Sequence, residues 1–297
     1  MLFNVCALYI KIMNNENQTI HKSDDNLTIY GWNEKLNQLK QESTYSTLAH
    51  GRVSIVHRTC YEVISGNGLF QCELTGNMMY GKSDDELPCT GDWVIFQPFD
   101  EHKGIIVDRL PRERTLYRKK SGTVADKQAI ASYVDKAFIV QSLDDNFNVR
   151  RVERFMVQIM EENISSVLVL NKADLDFDRQ SVEEQIKHIS SQIPVFFTSI
   201  HQLETIVRLR KSISEGETVV FVGSSGVGKS SLVNALCEKP VLLTSDISLS
   251  TGKGRHTSTR REMVLMDSSG VLIDTPGVRE FGLAIDNPDS LAEVLEI

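Results

Sequence analysis

The stretch "GSSGVGKS", residues 223–230, decides the fold and most of the chemistry expected of this chain. It matches the phosphate-binding pattern G-x-x-x-x-G-K-[ST] in full, between the apolar run "TVVFV" (218–222) and the helical run "SSLVNAL" (230–236). A strand, a glycine loop and a helix in this order let backbone N–H groups and the helix N-terminus hold phosphates. We expect Lys229 to contact the β- and γ-phosphates and Ser230 to bind Mg²⁺.

The stretch "NKAD", residues 171–174, matches the guanine-reading pattern N-K-x-D and directly follows the apolar run "SVLVL" (166–170). The Asp174 carboxylate can accept hydrogen bonds from the N1–H and N2–H₂ groups of guanine, which adenine cannot supply. A site built to pair such donors rejects an analogue that lacks them, because its carboxylate is then left unpaired. We expect Asn171 to brace the loop and Lys172 to lie along the plane of the base.

Three further stretches fit around the same nucleotide. "DTPG" (274–277) ends the apolar run "VLID", so that Asp274 would hold Mg²⁺ through water and the Gly277 N–H would contact the γ-phosphate. The glycine- and hydroxyl-rich stretch "TGKGRHTSTR" (251–260) is typical of a switch loop that orders around Mg²⁺ and the γ-phosphate. "TSI" (198–200), after the run "PVFF", stands where a loop that backs the base belongs.

The order of these motifs differs from that of an ordinary GTPase, in which the phosphate loop comes first. Read as a circle, they fall in the standard order of phosphate loop, switch loop, DTPG, NKAD and TSI. Read linearly, the domain begins near "AFIVQ" (137–141) and ends after DTPG. Because the termini of a domain often lie close together, a sheet can be cut at one loop and joined at another. We therefore predict a circularly permuted P-loop GTPase domain of the α/β class, with a parallel sheet covered on both faces.

The region before this domain has a different pattern of apolar residues. From residue 51, short strand-like runs such as "YEVIS" and "LFQCEL", separated by turn signals, predict a small all-β barrel. A five-stranded oligonucleotide-binding barrel and a Src-homology-type barrel both fit this pattern. The expected organisation is a loose polar N-terminal extension with room for one short helix (1–44), the barrel (45–118), the permuted GTPase domain (119–282) and the start of a C-terminal helical segment (283–297).

The permuted order, the preceding barrel and the stretch "GRHTST" (254–259) together resemble the ribosome small-subunit-dependent GTPase A family over about residues 45–290. The resemblance implies an oligonucleotide-binding-fold barrel, a permuted GTPase domain that binds GTP, GDP and Mg²⁺, and a role in late maturation of the small (30S) ribosomal subunit. It also implies contact with ribosomal RNA and GTP hydrolysis that this subunit stimulates.

Two features depart from the family pattern. The family's switch loop has a run of threonines after its histidine, and here Ser258 stands between Thr257 and Thr259. A hydroxyl is kept, so we expect Thr257 or Ser258 to bind Mg²⁺. Family members also continue into a small zinc-binding domain, but nothing after Cys237 forms a zinc site, and we expect no zinc in this chain.

His256 is the candidate for positioning the attacking water. Many GTPases place a glutamine just after the DxxG motif for this purpose, but the corresponding residue here is Val278, which cannot orient water. The resemblance implies that His256 takes this role, with Thr257 and Lys229 as the other catalytic residues. The alternative is that His256 only hydrogen-bonds its own loop.

The expected site residues are spread over five stretches of the chain. Mg²⁺ is expected to meet Ser230, Thr257, Ser258 and Asp274. The nucleotide is expected to meet Asn171, Lys172, Ala173, Asp174, Thr198, Ser199, Gly223, Ser224, Ser225, Gly226, Val227, Gly228, Lys229, Ser230, Ser231 and Gly277.

Composition limits the function classes and the partners. The 297 residues carry a formal net charge of −8, which argues against a uniformly basic nucleic-acid binder. The local basic run "DRLPRERTLYRKK" (108–120) either contacts RNA phosphates or is solvated surface. The apolar start "MLFNVCALYI" (1–10) is too short to span a bilayer and lacks signal-peptide features, and the 5 cysteines form no CxxC pair. We expect a cytoplasmic monomer without a membrane partner.

Two rival functions stay open on the sequence. One is a GTPase that regulates another process through another partner. The other is an RNA-binding module that uses GTP only as a structural ligand. A GTPase rate measured with and without small ribosomal subunits separates both rivals from the ribosomal role.

Overall fold

The computed structural model of this chain describes residues 26–79, 83, 85–119, 127–242, 261–267 and 270–275. These residues form a small β-barrel and a larger α/β layer, whose strands join into one mixed sheet. Within the same ranges, no helix has both the length and the apolar character needed to cross a membrane.

Residues 49–109 form the barrel. Its first strand pairs antiparallel with the second and the fourth, and its third and fifth strands run parallel to each other. This closed order confirms an oligonucleotide-binding-fold barrel and excludes the Src-homology-type alternative. The elements are β1 (Ala49–Val56), β2 (Tyr61–Ser65), β3 (Gly68–Leu74), β4 (Trp93–Asp100) and β5 (Lys103–Arg109), with helix α1 (Glu34–Glu42) before the barrel and α2 (Gly76–Met79) after β3.

Apolar side chains that alternate along the strands fill the barrel. In β2, "YEVIS", the first, third and fifth residues are buried, as expected for a strand with one face on a core. A glycine in β5 makes room for the Phe96 ring, because a Cβ atom at Gly104 would lie 2.6 Å from that ring. The barrel core therefore follows from the period of two that the sequence shows.

The segment before the barrel differs in part from the loose extension that we predicted. Asn33 caps the N-terminus of helix α1, because its side-chain oxygen accepts a hydrogen bond from the Leu36 N–H over 3.1 Å. Leu36 is buried, and the Trp32 ring packs against the Trp93 ring of β4 at 4.8 Å between centroids. A few large apolar side chains thus attach an otherwise polar segment to the outside of the barrel.

The second part is a six-stranded sheet with helices on both faces. Its order is β10-β9-β8-β11-β13-β12, in which β12 is antiparallel and the other five strands are parallel. Helix α3 packs on one face and helix α7 on the other, each over a separate apolar cluster. The elements are β8 (Lys136–Ser142), α3 (Val149–Glu161), β9 (Ser165–Asn171), α4 (Arg179–Gln185), α5 (Lys187–Ser190), β10 (Val195–Thr198), α6 (Leu203–Arg210), β11 (Thr218–Val222), α7 (Lys229–Leu236), β12 (Glu262–Leu265) and β13 (Val271–Asp274).

The strand order confirms the circular permutation. Strand β11, which leads into the phosphate loop, lies between β8, which precedes it in the chain, and β13, which follows it. Residues 179–190 form two short helices, α4 and α5, that meet at Ile186. Ile186 and Ile189 are both buried, so the break keeps both side chains against the sheet.

Two contacts tie the parts together. The hairpin of β6 (Leu116–Lys119) and β7 (Lys127–Ala131) is attached to α3, because the Gln158 amide donates to the Tyr117 backbone oxygen over 2.6 Å. The buried Arg52 of β1 donates to the Gly91 backbone oxygen inside the barrel and to the Thr218 hydroxyl at the start of β11. Arg52 of the barrel thus contacts the first residue of β11, and the other end of β11 leads into the phosphate loop.

Candidate nucleotide-binding site

Four of the five stretches predicted to bind the nucleotide begin at one edge of the sheet. Strands β9, β10, β11 and β13 end at Asn171, Thr198, Val222 and Asp274. Because neighbouring parallel strands point their carboxyl ends the same way, these four strand ends lie along the same edge. Such an edge is where open α/β sheets bind ligands.

The phosphate loop (223–230) has backbone angles at two of its glycines that residues with side chains rarely adopt. Gly223 and Gly228 have φ angles of 150° and 95°, where side chains are strained. A Cβ atom at Gly223 would lie 2.3 Å from the Val140 oxygen, and one at Gly228 would lie 2.3 Å from the Asn171 amide nitrogen. Both glycines therefore allow close approach of neighbouring strands and loops. At the tip of the loop, Ser225 and Gly226 are exposed.

Lys229 places a preformed cation inside this loop. Its side chain is buried, and the ammonium donates to the backbone oxygens of Gly223 and Ser224, each over 2.9 Å. Burial lowers the pKa of Lys229, and the nearby Asp274 carboxylate acts in the opposite direction. A buried cation whose hydrogen bonds within the described residues go to neutral backbone oxygens is suited to an anionic ligand such as a phosphate.

Ser230 and Asp274 form a pair that fits Mg²⁺. The Ser230 hydroxyl donates to one carboxylate oxygen of Asp274 over 2.7 Å, and the other oxygen is buried without a hydrogen-bond partner among the described residues. Burial raises the pKa of Asp274, despite the opposing effects of Ser230 and Lys229. A buried carboxylate oxygen without a donor can accept from a metal-bound water, and Mg²⁺ typically keeps several waters.

The base loop (171–174) is fixed to its neighbours by Asn171. The Asn171 amide donates to the Val227 backbone oxygen over 2.8 Å, and its oxygen accepts from the Thr198 hydroxyl over 3.3 Å. The Ala173 N–H donates to the Thr198 backbone oxygen over 3.0 Å. Asn171 thus contacts the phosphate loop and the TSI loop.

Asp174 stands at the outer end of the base loop with its carboxylate exposed to the edge of the sheet. A hydrogen bond from Ser199 is the largest cause that lowers the pKa of Asp174. The carboxylate therefore stays ionised at neutral pH and offers acceptors only. Acceptors alone suit the two donors on the guanine edge.

Sequence reasoning missed two residues at this edge, Asp144 and Arg151. Asp144 accepts a hydrogen bond from the Lys172 ammonium over 2.8 Å, and Arg151 donates to the Ser224 hydroxyl over 3.2 Å. Both belong to "LDDNFNVRR" (143–151), which matches none of the nucleotide-binding motifs. Their position between the carboxyl end of β8 and the first turn of α3 was the available signal.

The remaining predicted residues lie outside the described ranges. They are His256, Thr257, Ser258, Gly277 and Val278. Their roles in catalysis, metal binding and γ-phosphate contact therefore stay predictions. Ser231 is described and half-buried, in the first turn of α7.

The permuted sheet, the phosphate loop and the base loop define the class of this protein, a circularly permuted P-loop GTPase preceded by an oligonucleotide-binding-fold barrel. The sequence profile of the family described as RsgA GTPase matches residues 109–284, which is more than half of the 297 residues. The chain belongs to the RsgA GTPase family.

Relatives agree over most of the chain. It is 73% identical over 285 residues to "Small ribosomal subunit biogenesis GTPase RsgA 1" of Bacteroides thetaiotaomicron, an alignment that covers 96% of this chain and 78% of that protein. It is 36% identical over 281 residues to "Small ribosomal subunit biogenesis GTPase RsgA" of Methanosarcina acetivorans, covering 91% of this chain and 74% of that one.

Solved structures share the fold. YjeQ from Thermotoga maritima matches with a TM-score of 0.59 at 24% identity, over 79% of this chain and 77% of that chain. YloQ, described as a circularly permuted GTPase, matches with a TM-score of 0.58 at 19% identity, over 86% and 80%. At these identities the likeness concerns the fold alone.

Proposed function

We propose that this GTPase acts as an assembly factor in late maturation of the small ribosomal subunit, contacts the RNA of that subunit and is stimulated by it. The observation that carries the GTPase part of the proposal is the meeting of the base loop and the phosphate loop through Asn171 and Val227. Relatives whose names state small ribosomal subunit biogenesis support the choice of partner.

The site residues have distinct parts in the proposed reaction, in which GTP and water give GDP and phosphate. Asp174 and Lys172 would hold the base, and the phosphate-loop N–H groups with Lys229 would hold the phosphates. Ser230 and Asp274 would hold Mg²⁺, which neutralises negative charge on the β- and γ-phosphate oxygens. We propose His256, with Thr257 or Ser258, for the switch-loop contributions to water positioning and metal binding.

RNA contact is proposed for the barrel more than for the basic run 108–120. Arg112 of that run forms a buried ion pair with Asp92 over 2.6 Å, and Arg114 pairs with Asp135 over 2.9 Å. Arg112 is buried with its partner and Arg114 is engaged in a partly exposed ion pair, so fewer of the basic groups are left for phosphates. Barrels of this type bind oligonucleotides through the loops between their first and second and fourth and fifth strands. Here the first of these loops presents the exposed Arg58, and Lys103 follows the second at the start of β5, where it pairs with Asp100 over 3.6 Å.

We further propose a cytoplasmic monomer in which residues 1–297 hold no zinc. A cytoplasmic location follows from the proposed work on ribosomal subunits. Elemental analysis of the purified chain tests the metal content, and a stoichiometric amount of zinc would contradict it.

Co-sedimentation with small ribosomal subunits tests the proposed partner. The chain loaded with a non-hydrolysable GTP analogue should pellet with the subunits at low salt, and the GDP-loaded chain should do so less. Affinity should fall steeply as salt rises, because contacts to RNA phosphates release counterions. Salt-independent binding would contradict RNA contact, and absence of binding at low salt would leave a GTPase with another partner.

A further inference from the structure

The loop between β8 and α3 makes ordered contacts with the base loop. One oxygen of Asp144 accepts from the Lys172 ammonium over 2.8 Å. The other accepts from the Ser142 hydroxyl over 2.7 Å and from the Asn146 N–H over 3.0 Å. Three donors thus fix the Asp144 carboxylate, which in turn fixes the position of the Lys172 ammonium.

Asp144 is charged under all conditions in which the protein would work. Partial burial raises its pKa, but the hydrogen bonds from Lys172, Ser142 and Asn146 more than offset this effect and hold the pKa at about 2. Lys172 itself has a φ angle of 61°, which is uncommon for a residue with a side chain. An ionic anchor on the Lys172 side chain helps to keep this backbone in place.

The same loop reaches the phosphate loop through Arg151. The Arg151 guanidinium donates to the Asn146 backbone oxygen and to the Ser224 hydroxyl, each over 3.2 Å. Arg151 stands in the first turn of α3, where a cation is opposed by the helix dipole. Its place is therefore explained by its contacts across the site and not by helix stability.

We propose that residues 142–151 form a brace that positions the base loop against the phosphate loop, with Asp144 acting on Lys172 and Arg151 acting on Ser224. Asp144 is then a positioning residue for guanine recognition, and Arg151 is a positioning residue for the phosphate loop. The proposal rests on the nucleotide site and does not depend on the ribosomal role. Asn171 and the brace are two separate connections between the same two loops.

The alternative is that Asp144 and Lys172 are only a surface ion pair. Their side chains are 24% and 35% exposed. A surface pair would contribute little to stability and nothing to nucleotide choice. Base selectivity is therefore the readout that separates the two, because a structural role alone would not change it.

The test compares GDP with IDP, whose base lacks the exocyclic amino group, by titration calorimetry on the full chain. Asp144→Ala should weaken GDP binding about tenfold, as expected for a partly exposed charged hydrogen bond. The preference for GDP over IDP should fall about threefold or more, because Asp174 shares the base loop with Lys172. The KM for GTP should rise, while kcat at saturating GTP stays within about twofold.

Arg151→Ala should weaken GDP and IDP by equal factors, leaving the preference unchanged. The double variant should lose less affinity than the product of the two single losses, because both act through one brace. The matched control is Asp145→Ala, which removes the same charge from an exposed neighbour that makes no hydrogen bond in the described part of the chain. It should bind both nucleotides as the parent does.

A folded Asp144→Ala protein with GDP affinity and preference within twofold of the parent would overturn the proposal. So would equal losses in Asp144→Ala and Asp145→Ala. If Asp144→Ala does not fold, Asp144→Asn decides, because it keeps the shape and removes the charge. Its preference for GDP over IDP should be weaker than that of the parent, but not lost. A preference equal to that of the parent would overturn the proposal. None of these measurements uses ribosomal subunits, so the proposed function stands or fails separately.

Discussion

The side-chain amide of Asn171 donates a hydrogen bond to the backbone oxygen of Val227 over 2.8 Å, although the two residues lie 56 positions apart. Asn171 begins the base loop and Val227 belongs to the phosphate loop, so this bond sets the spacing between the two halves of the site. The permuted chain meets the same geometric requirement as an ordinary GTPase, because a bound nucleotide has a fixed length.

A methyl group at Gly228 should break this relationship. The Cβ atom in Gly228→Ala would lie 2.3 Å from the Asn171 amide nitrogen, at a φ of 95°. We expect GDP affinity to fall at least about tenfold and the melting temperature to drop by several degrees. Calorimetry and thermal unfolding measure the two effects. The control is Gly226→Ala, at a φ of 84°, whose Cβ meets nothing within 4 Å. Equal losses in both variants would mean that backbone strain, and not contact with Asn171, is responsible.

Asp174→Asn should change which base is bound. An amide can donate where the carboxylate can only accept, so the variant should prefer xanthine nucleotides over guanine nucleotides. Competition between GDP and XDP measures the change, which we expect to exceed about a hundredfold in the ratio of affinities. As a comparison, Lys229→Ala should weaken triphosphate binding whatever the base. An unchanged guanine preference in Asp174→Asn would show that another group reads the base.

Asp274→Asn should stabilise the nucleotide-free protein at neutral pH. Burial raises the pKa of Asp274 in the folded state, so the folded protein binds this proton more tightly than the unfolded chain. The free energy of unfolding therefore falls as pH rises between the unfolded and folded pKa values. Above that interval, the uncharged variant should melt at a higher temperature than the parent, and the difference should shrink toward about pH 4.

The same substitution should reduce the Mg²⁺ dependence of GTP binding, because a buried carboxylate oxygen is lost. Thermal unfolding at two pH values without nucleotide, and GTP titration with and without Mg²⁺, check both effects. A variant that melts below the parent at pH 8 would contradict the assignment of Asp274 as a buried charge that awaits a cation.

Whether a feature of the fold or the site could be predicted from the sequence depends on the kind of interaction that produces it. The strand order of the α/β layer was predictable, because each motif marks the carboxyl end of a strand and a bound nucleotide requires those ends to be adjacent. The alternation in β2 predicted a barrel, but not its type, since strand pairing such as β3 with β5 leaves no local pattern.

The rest depends on tertiary contacts between distant residues. Trp32 and Leu36 are two apolar positions in a polar segment, too few to indicate that the segment packs on the barrel. Arg112 looked like part of an RNA-binding patch, and only the fold shows its buried partner, Asp92. Asp144 and Arg151 belong to no motif, and their roles depend on where β8 ends.

His256→Ala should slow hydrolysis while leaving GTP affinity within a few-fold. Positioning of water acts on the transition state and not on binding of the substrate, so kcat should fall by about tenfold or more with KM unchanged. Single-turnover kinetics and calorimetry measure the two quantities. Equal rates for variant and parent would leave His256 with a structural role only.

The role in small-subunit assembly is tested most directly by the GTPase rate of the chain with and without purified small ribosomal subunits. Val278 offers no group that orients water, so the chain alone should hydrolyse GTP slowly. Supplying or ordering the missing catalytic groups is typically worth about 10³ to 10⁵ in rate. We predict that small subunits raise turnover by at least about a hundredfold at low salt, and that large subunits do not. An unchanged turnover with small subunits present would contradict the ribosomal role.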